Sequence, residues 1–371
     1  MGYVAVRGGE EAIRAAGELS RYLRLRAAGD GQAPIPAEAI RDQMRLAVDR
    51  VMAEGSLYAP LYAAVALKQA EGDAIEAAFI LRALRSTMRR ALRSEVARTD
   101  QMRVMRRISA AFKDVPGGQV LGPTRDYAIQ LLDFSLLEED DAAVVDFLAG
   151  HTELDPARLG ESPRFPRVLD LLRAEGMLAC RSRPDPTPPF DVTREALRFP
   201  AARSAKLQTL ARGETGALMA LAYSTMRGYG NVHPVVGELR VGHVPLWVRH
   251  PAVDGPLFVG EVLATEAEVI STEFTAGGQD GSTAFSVGYG LCFGHNELKA
   301  IAMAILDRAT AAARPESPGE DEEFVLLHSD GIESSGFTGH WKLPHYVTFQ
   351  SELDRLRAAR RGGTRVDAPA G

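Results

Sequence analysis

Three consecutive strand-like segments and the helix that follows them decide the fold of this sequence. The segments are GELRVGHVPLWVRH (237–250), PLFVGEVLATEAEVISTEF (256–274) and TAFSVGYGLCFG (283–294). The next stretch, NELKAIAMAILDRATAAA (296–313), predicts a helix, because apolar residues recur on one face and Asn296 can cap its start. We therefore expect a C-terminal half in which helices and an antiparallel sheet are mixed.

The first third of the chain carries helical patterns. Amphipathic runs with helix-type start and stop signals are GGEEAIRAAGELSRYLRLRAA (8–28), IPAEAIRDQMRLAVDRVMAEG (35–55) and DAIEAAFILRALRSTMRRALRSE (73–95). Glycines and prolines interrupt the pattern at 114–127, and DYAIQLLDFSLL (126–137) resumes it. Further on, EEFVLLHSDG (322–331) is typical of a buried strand and LPHYVTF (343–349) of a short strand.

These patterns predict an α+β fold with a helical N-terminal part and a mixed C-terminal part. RSRPDPTPPFDVT (181–193) has four prolines between 184 and 189, which exclude a helix or a central strand, so we place a domain boundary near it. The predicted regions are 1–137 (helical), 138–200 (variable, proline-rich arm), 201–360 (mixed helix and antiparallel sheet, the expected catalytic region) and 361–371 (tail).

Composition excludes several classes of function. The chain has 371 residues, 46% of them hydrophobic, and a net charge of −6, so no global basic field points to nucleic acid. Cys180 and Cys292 are its two cysteines and form no CxxC motif, which favours a reducing compartment. The N-terminus lacks the apolar core of a signal peptide, and no stretch approaches about 18 uninterrupted apolar residues. We expect a cytoplasmic protein with no membrane and no nucleic-acid partner.

Two histidines near the C-terminus are a candidate metal site. In SSGFTGHWKLPHYVTF (334–349), His340 and His345 lie five residues apart, and His328 is a possible third ligand. Zinc takes about four ligands, or three and a water. In a straight strand, positions five apart point to opposite faces, so joint ligation requires a turn between them. The spacing alone leaves two interpretations open, half of a metal site or ordinary surface or core histidines.

Cations close to glycine-rich turns are candidate phosphate ligands. They are Arg203, Lys206, Arg212 and Arg227. The loop RGYGNVHP (227–234) also contains Gly228, Gly230 and His233, a mixture typical of functional loops. It matches neither GxxxxGK[ST] nor GxGxxG, and a tight connection with solvated charges explains it equally well.

Carboxylates on the strand-like segments are candidate catalytic groups. They are Glu238, Glu261, Glu266 and Glu268. A carboxylate facing a site could stabilise an oxocarbenium-like centre or act as a general base. Because strand faces alternate, simple solvation is the more common state for any single one.

Long motifs in order along the chain resemble one family. They are YVAVRGGEEAI (3–13), LAVDRVMAEG (46–55), RRISAAFKDVPGGQVLGPTRDY (106–127), ALMALAYSTMRGYGNVHPVVGELRVG (217–242), GYGLCFGHNELKAIAMAILDRA (288–309) and EEFVLLHSDGIESSGFTGHWKLPHYVTFQSEL (322–353). Together they closely resemble the family of the I subunit of the bacterial carbon–phosphorus lyase system, PhnI. The stretch near 138–195 and the arginine-rich tail depart from it.

The resemblance implies a role in phosphonate breakdown within a cytoplasmic multi-subunit core complex. It implies that the purine of ATP or GTP leaves ribose C1′ and that a phosphonate such as methylphosphonate takes its place. The product is then ribose 1-methylphosphonate 5-triphosphate, and water is the acceptor when the subunit is alone. It also implies two copies per complex and a radical-SAM partner subunit that breaks the carbon–phosphorus bond.

The resemblance further implies that His340 and His345 bind a zinc-like metal shared with the radical-SAM subunit. For the chemistry at C1′, we expect Glu238, with Glu261 second, to stabilise the positive charge and His233 to protonate the purine. We expect the triphosphate to be held by Arg203, Lys206 and Arg227, with Gly228 and Gly230 in the same loop.

Two rival classes stay open at this point. The chain could be a non-catalytic structural subunit whose site forms only with partner chains, which the incomplete histidine site favours. It could also be a metal-dependent hydrolase acting alone, which requires a third protein ligand such as His328 or Asp330.

Overall fold

The computed structural model describes residues 9–29, 31, 33–154, 164–179, 187–227, 233–276, 283–312 and 314–362. The chain divides into two compact units, one formed by Met1–Pro36 with Gly331–Gly371 and the other by Ala37–Asp330. Helices and strands are mixed in the larger unit, so the predicted α+β class is confirmed. The predicted boundary near the prolines at 184–189 falls partly outside the described residues and stays a prediction.

The helices of the larger unit lie before β1, between β1 and β2, and after β4 along the chain. They are α2 (Ala37–Gln43), α3 (Arg45–Gly55), α4 (Pro60–Gln69), α5 (Ala74–Thr87), α6 (Asp141–Gly150), α7 (Asp170–Ala174), α8 (Arg203–Arg212), α9 (Thr215–Met226), α10 (Glu297–Ala309) and α11 (Glu322–His328). The smaller unit contains α1 (Glu10–Gly29), α12 (Gly331–His340) and α13 (Tyr346–Arg361). None of the described helices is long and apolar enough to cross a membrane.

A four-stranded antiparallel sheet is the centre of the larger unit. Its strands are β1 (Arg103–Ile108), β2 (Pro234–Arg249), β3 (Pro256–Ala276) and β4 (Thr283–Phe293), in that spatial order. The three strands predicted from the sequence are therefore confirmed, and β1 joins them at the β2 edge. Beside β4, Leu178 forms a parallel bridge with Phe285.

Helix α10 covers one face of this sheet. Leu239 of β2 and Ala267 and Val269 of β3 form a buried cluster with Met303 and Leu306 of α10. Helices α8 and α9 complete the same cluster through Leu210 and Leu218. A second cluster, centred on Val51, Met52 and Leu67, holds α2 to α5 together.

Three secondary-structure predictions are wrong. Residues 126–137 form no α-helix but only a short 3₁₀ turn at Phe134–Leu137, because the side chains of this stretch are exposed and have no core against which a helix could pack. In the expected strand at 322–331, Glu322–His328 form α11 instead, with Asp321 accepting from the backbone N–H of Phe324 as the N-cap. In the expected strand at 343–349, the last four residues are the start of α13.

Two glycines of β4 allow α10 to approach the sheet closely. A Cβ at Gly288 would lie 1.8 Å from the carbonyl oxygen of Ala304, and one at Gly290 would lie 2.1 Å from that of Ala300. Both neighbours are backbone atoms of α10, so a side chain here could be accommodated only by moving the helix away from the sheet.

Gly288→Ala is expected to lower the free energy of unfolding by about 1–3 kcal/mol or more, because the new methyl group overpacks the β4–α10 contact. Urea denaturation at neutral pH measures it. Gly17→Ala is the matched control, since its Cβ would meet nothing within 4 Å in an exposed helix and should be neutral or slightly stabilising. Equal unfolding curves for Gly288→Ala and wild type would contradict the close approach.

Candidate functional site

The sheet face opposite α10 carries charged side chains that are buried. Strand register places Arg107 opposite Arg240, Arg240 opposite Glu266, and Glu238 opposite Glu268, so these side chains share one face. Tyr289 of β4 pairs with Glu268 and joins them. We call this set the polar layer: Arg107, Glu238, Arg240, Glu266, Glu268 and Tyr289.

Residues 164–178, which we call the strap, cover the polar layer. The strap includes α7 and reaches the β4 edge at Leu178. Its Leu169 and Leu178 pack on Ile270 of β3. Its Arg167 and Arg173 point their guanidinium groups at carboxylates of the layer. The strap therefore shields the polar layer from solvent and contributes cations to it.

Glu266 lies at the centre of the polar layer and is 2% exposed. Its Oε2 accepts from Nε of Arg240 at 3.1 Å. Its Oε1 accepts from Nη2 of Arg167 at 2.9 Å, from the hydroxyl of Tyr289 at 2.8 Å and from the hydroxyl of Thr99 at 2.8 Å. Both carboxylate oxygens are thus held by donors from four different parts of the chain.

These contacts set the protonation states of the layer. Burial alone would raise the pKa of Glu266, but Arg240 and Arg167 outweigh it and lower that pKa to about 2. Burial and the neighbouring Glu266 carboxylate raise the pKa of Tyr289. At neutral pH the layer therefore contains an ionised Glu266 and a protonated Tyr289 that donates to it.

Glu238, the predicted catalytic carboxylate, is 2% exposed and bound on both oxygens. Nε of Arg107 donates to its Oε1 at 2.7 Å, and the backbone N–H of Val168 in the strap donates to its Oε2 at 3.2 Å. Arg107 is itself fixed by the carbonyls of Pro116, Gly118 and Pro166 at 2.6–2.8 Å. The second-choice carboxylate Glu261 lies outside the layer, in a partly exposed ion pair with Arg103 at 2.8 Å.

The predicted phosphate ligands on α8 lie on the other side of the sheet, against α10. Arg203 pairs with Asp307 at 2.8 Å, and Lys206 pairs with Glu322 at 2.8 Å and donates to the carbonyl of Thr310 at 3.0 Å. The structure therefore separates these two cations from Glu238 by the thickness of the sheet.

The remaining predicted loop residues lie at the edge of the described chain. Arg227 is the exposed residue that follows α9, and His233 is exposed just before β2. Gly228 and Gly230 lie outside the described residues. A small cleft adjoins this region, with Thr225, Met226 and Pro234 among its lining residues. The catalytic and binding roles assigned to all these residues stay predictions.

Sequence reasoning missed the cations of the polar layer and of the strap. Arg107, Arg240, Arg167 and Arg173 were not among the candidates, although Glu238 and Arg240 alternate with Leu239 and Val241 along β2. That alternation is the signal of a strand with one apolar face, and it normally places the charged face in solvent. Burial of the charged face depends on the strap, which has no pattern of its own in the sequence.

His340 and His345 lie close together at the junction of α12 and α13. Their ring centroids are 5.1 Å apart, and the ring of Trp341 contacts both, at 4.6 Å and 5.0 Å. Nδ1 of His345 lies 2.7 Å from the carbonyl oxygen of Leu343, and Nδ1 of His340 contacts the carbonyl oxygen of Phe337. Because a carbonyl only accepts, each Nδ1 carries a proton, and in the neutral ring it is Nε2 that has the lone pair for a metal.

This donor set fits two ligands of a zinc-like ion. A ligating histidine ordinarily donates its other ring N–H to a carbonyl, as both do here. The turn between α12 and α13 provides the bend that joint ligation requires. Among the residues that the structure describes, however, no group of three or more His, Cys, Asp and Glu side chains could hold a metal. Further ligands would have to come from outside this group.

Glu266→Gln is expected to lower the free energy of unfolding at pH 7 by about 3–5 kcal/mol, because Arg240 would lose its carboxylate in a buried site. Since the folded pKa of Glu266 lies below its ordinary value of 4.5, its contribution is complete above pH 4.5 and is lost as the pH falls towards about 2. Urea denaturation should therefore show the wild-type and variant free energies of unfolding converging as the pH falls from about 5 towards 2.

Glu261→Gln is the matched control for that measurement. Its ion pair is partly exposed, so a change of about 0–1 kcal/mol in the free energy of unfolding is expected at pH 7. A Glu266→Gln protein as stable as the Glu261→Gln protein at pH 7 would contradict the central place of Glu266.

Comparison with known proteins identifies the family. The model of the family described as "Bacterial phosphonate metabolism protein (PhnI)" matches residues 2–363. HtxH of Stutzerimonas stutzeri, named as a candidate C-P lyase subunit protein, is 51% identical over 369 residues, covering 98% of this chain and 97% of the relative.

Two proteins named alpha-D-ribose 1-methylphosphonate 5-triphosphate synthase subunit PhnI have a similar degree of identity to this chain. The one from Escherichia coli (strain K12) is 45% identical, covering 96% of this chain and 97% of its own length. The one from Rhizobium meliloti (strain 1021) is 44% identical, covering 97% and 95%. The resemblance read from the sequence motifs is confirmed, and the chain belongs to the PhnI family of bacterial phosphonate metabolism proteins.

Proposed function

We propose that this chain is the subunit of a carbon–phosphorus lyase complex that exchanges the purine of ATP or GTP for a phosphonate at ribose C1′. With methylphosphonate as acceptor, the product is ribose 1-methylphosphonate 5-triphosphate, and with water as acceptor the chain is a nucleosidase. The observation that carries the proposal is the family match over residues 2–363, together with relatives that are named as subunits of this synthase.

The chemistry requires three kinds of group. Loss of the purine builds positive charge at C1′ and O4′, which an ionised carboxylate stabilises, and Glu238 is our first candidate. Protonation helps the purine to leave, and the exposed His233 is our candidate acid. The triphosphate requires cations, and we assign the exposed Arg227 to this role. Arg203 and Lys206, our other predicted cations, lie on the other side of the sheet from Glu238 and cannot hold the same nucleotide.

The contacts of α8 agree with this choice. Arg203 and Lys206 already hold the carboxylates of Asp307 and Glu322. A triphosphate bound by them would therefore replace carboxylates as the anion. Arg227 is exposed and requires no such exchange, so the effect of substituting it is the simplest to interpret.

Purine release from ATP and GTP by the purified chain, followed by chromatography, tests the proposal. Arg227→Ala is expected to slow release at least about ten-fold by weakening triphosphate binding. The exposed Arg249, paired with Glu95, provides the matched control Arg249→Ala, which should release purine at the wild-type rate.

The choice of carboxylate is tested by the same assay. Glu238→Gln is expected to abolish release and Glu261→Gln to leave it nearly intact, with circular dichroism confirming that both variants are folded. The reverse ranking would assign the role to Glu261. Equal release by wild type and both variants would remove both residues from the mechanism.

We further propose that His340 and His345 hold a zinc-like ion together with the radical-SAM subunit, in a complex that contains two copies of this chain. The free Nε2 lone pair of each ring supports this assignment. An ion held there would join the two chains and polarise an oxygen ligand. Within this chain, the groups that position the two rings are the backbone carbonyls that accept from their Nδ1 atoms and Trp341, whose ring contacts both imidazoles.

The double variant His340→Ala/His345→Ala is expected to lose the bound metal of the assembled complex, as measured by elemental analysis. His328→Ala is the control, because its Nδ1 also contacts a backbone carbonyl, that of Phe324 at 2.7 Å, while it stands outside the pair. An unchanged metal content in the double variant would contradict the assignment of His340 and His345 as ligands.

A non-catalytic structural subunit is the second candidate function. It is favoured by the polar layer, whose carboxylates and guanidinium groups neutralise one another in this chain. No purine release by the chain alone, with release appearing once the partner subunits and methylphosphonate are added, would support this alternative.

A further inference from the structure

Three arginines of α5 and the residues just after it form a cluster that the proposed function does not use. Arg82 and Arg85 are three positions apart on α5 and are therefore neighbours on the helix surface. Nη1 of Arg82 donates to Asp330 at 2.6 Å, and Nη1 of Arg90 donates to Asp191 at 2.6 Å. We call Arg82, Arg85 and Arg90 the arginine cluster.

Arg85 differs from the other two members of the cluster. It is partly buried, yet it makes no hydrogen bond or ion pair with any residue that the structure describes. Burial and the guanidinium groups of Arg90 and Arg82 lower the pKa of Arg85, and Asp191 opposes this effect only in part. Since buried cations are normally paired, Arg85 is a cation that the described part of the chain does not neutralise.

The carboxylate nearest to this cation is already engaged. Oδ2 of Asp191 accepts from Arg90, while its Oδ1 accepts from the backbone N–H of Thr193 at 3.1 Å and from the hydroxyl of Thr193 at 2.5 Å. Asp330 is likewise engaged by Arg82. Three guanidinium groups are thus opposed by two carboxylates, and the excess positive charge lies at Arg85.

The two arginines that flank Arg85 are fixed in place. Nη2 of Arg82 donates to the backbone carbonyl of Glu54 at 2.6 Å, and Nη2 of Arg90 lies 3.3 Å from the hydroxyl of Thr193. An anion that binds here therefore meets guanidinium groups that are already ordered, which lowers the entropy cost of binding. Each guanidinium also has further N–H groups beyond those used in these contacts.

The number of donors favours a tetrahedral anion over a carboxylate. A carboxylate offers two oxygens in one plane, which suits a single guanidinium fork. A phosphoryl or phosphonyl group offers three oxygens in different directions and can accept from three guanidinium groups at once. Its charge of about −1.5 to −2 at neutral pH also exceeds that of a carboxylate, so it neutralises the cluster better.

We propose that Arg85, with Arg82 and Arg90, binds a phosphoryl-type dianion, which is free phosphate or the phosphate or phosphonate group of a small molecule. Nη2 of Arg82 also lies 3.4 Å from the carbonyl of Arg212 at the end of α8, which places the cluster on the α10 side of the sheet. Glu238 lies under the strap on the opposite face. The inference therefore goes beyond the purine exchange, and either can fail without the other.

Titration calorimetry of the purified chain with inorganic phosphate, in a chloride buffer, tests the proposal. Wild type is expected to bind phosphate saturably, and Arg85→Ala to bind it about ten- to a hundred-fold more weakly, because charge-assisted hydrogen bonds are lost. Arg85→Lys keeps the charge without the planar fork and should recover only part of the affinity. Arg249→Ala, which removes an exposed arginine paired with Glu95, is the matched control and should bind as wild type does.

Urea denaturation separates a binding role of Arg85 from a structural one. Without phosphate, Arg85→Ala should be at least as stable as wild type, because the substitution removes repulsion from Arg82 and Arg90. Added phosphate should raise the urea midpoint of wild type and leave that of the variant unchanged, since only a bound ligand stabilises the folded state. A variant that is less stable than wild type without phosphate, and that gains as much from phosphate, would show a structural arginine and overturn the proposal.

Parallel titrations identify the source of the dianion. Phosphate, methylphosphonate and ATP are compared, and only binding that is lost in Arg85→Ala is assigned to the cluster. The ligand with the highest affinity of the three is then the source. Glutarate, a dicarboxylate, should bind more weakly than any of them, and equal or tighter binding would assign the cluster to protein carboxylates instead. The absence of saturable binding of all three ligands by wild type, or equal binding by Arg85→Ala, would also overturn the proposal.

Discussion

The buried contact between Arg240 and Glu266 is the constraint on which the rest of the larger unit depends. Both side chains are 2% exposed, and they lie opposite each other on adjacent strands. Removing either partner would leave a charge in a site that water does not reach, which costs far more than the pair itself contributes. The strap is ordered over the sheet because its arginines complete the neutralisation of Glu266 and Glu268. The two faces of the sheet are therefore stabilised by different contacts. One face packs against α10 through apolar side chains, and the other is covered by the strap through ion pairs.

The difference between the two faces explains which features of the fold could be predicted from the sequence alone. The strands from 234 to 293 and helix α10 were predictable because period-2 and period-3.6 apolar patterns are local signals. The short apolar run FVLL at 324–327 was assigned to a strand because four residues fit either period, and the N-cap at Asp321 decided for a helix. The family was predictable because its motifs are long and follow one another along nearly the whole chain.

The candidate site was predictable only in part, for a physical reason. Glu238, Glu266 and Glu268 were recognised as carboxylates on strands, but their burial depends on residues distant in the chain, such as Arg107 and Arg167. No local sequence pattern indicates that another segment of the chain will cover a charged strand face. The histidine pair is the opposite case. Residues 340–345 are close in sequence, so the turn that brings the rings together and the carbonyls that fix their tautomers are local features.

The polar layer and residues 127–148 show two outcomes of one constraint on charge. In the layer, charges of opposite sign from distant segments are brought together and neutralised within one chain, which allows them to be buried. The stretch 127–148 has six acidic residues and no lysine or arginine, so its carboxylates stay in solvent, and the apolar side chains between them are exposed as well. Burial of a charged segment therefore depends on whether the fold brings opposite charges to it, and not on how apolar the rest of the segment is.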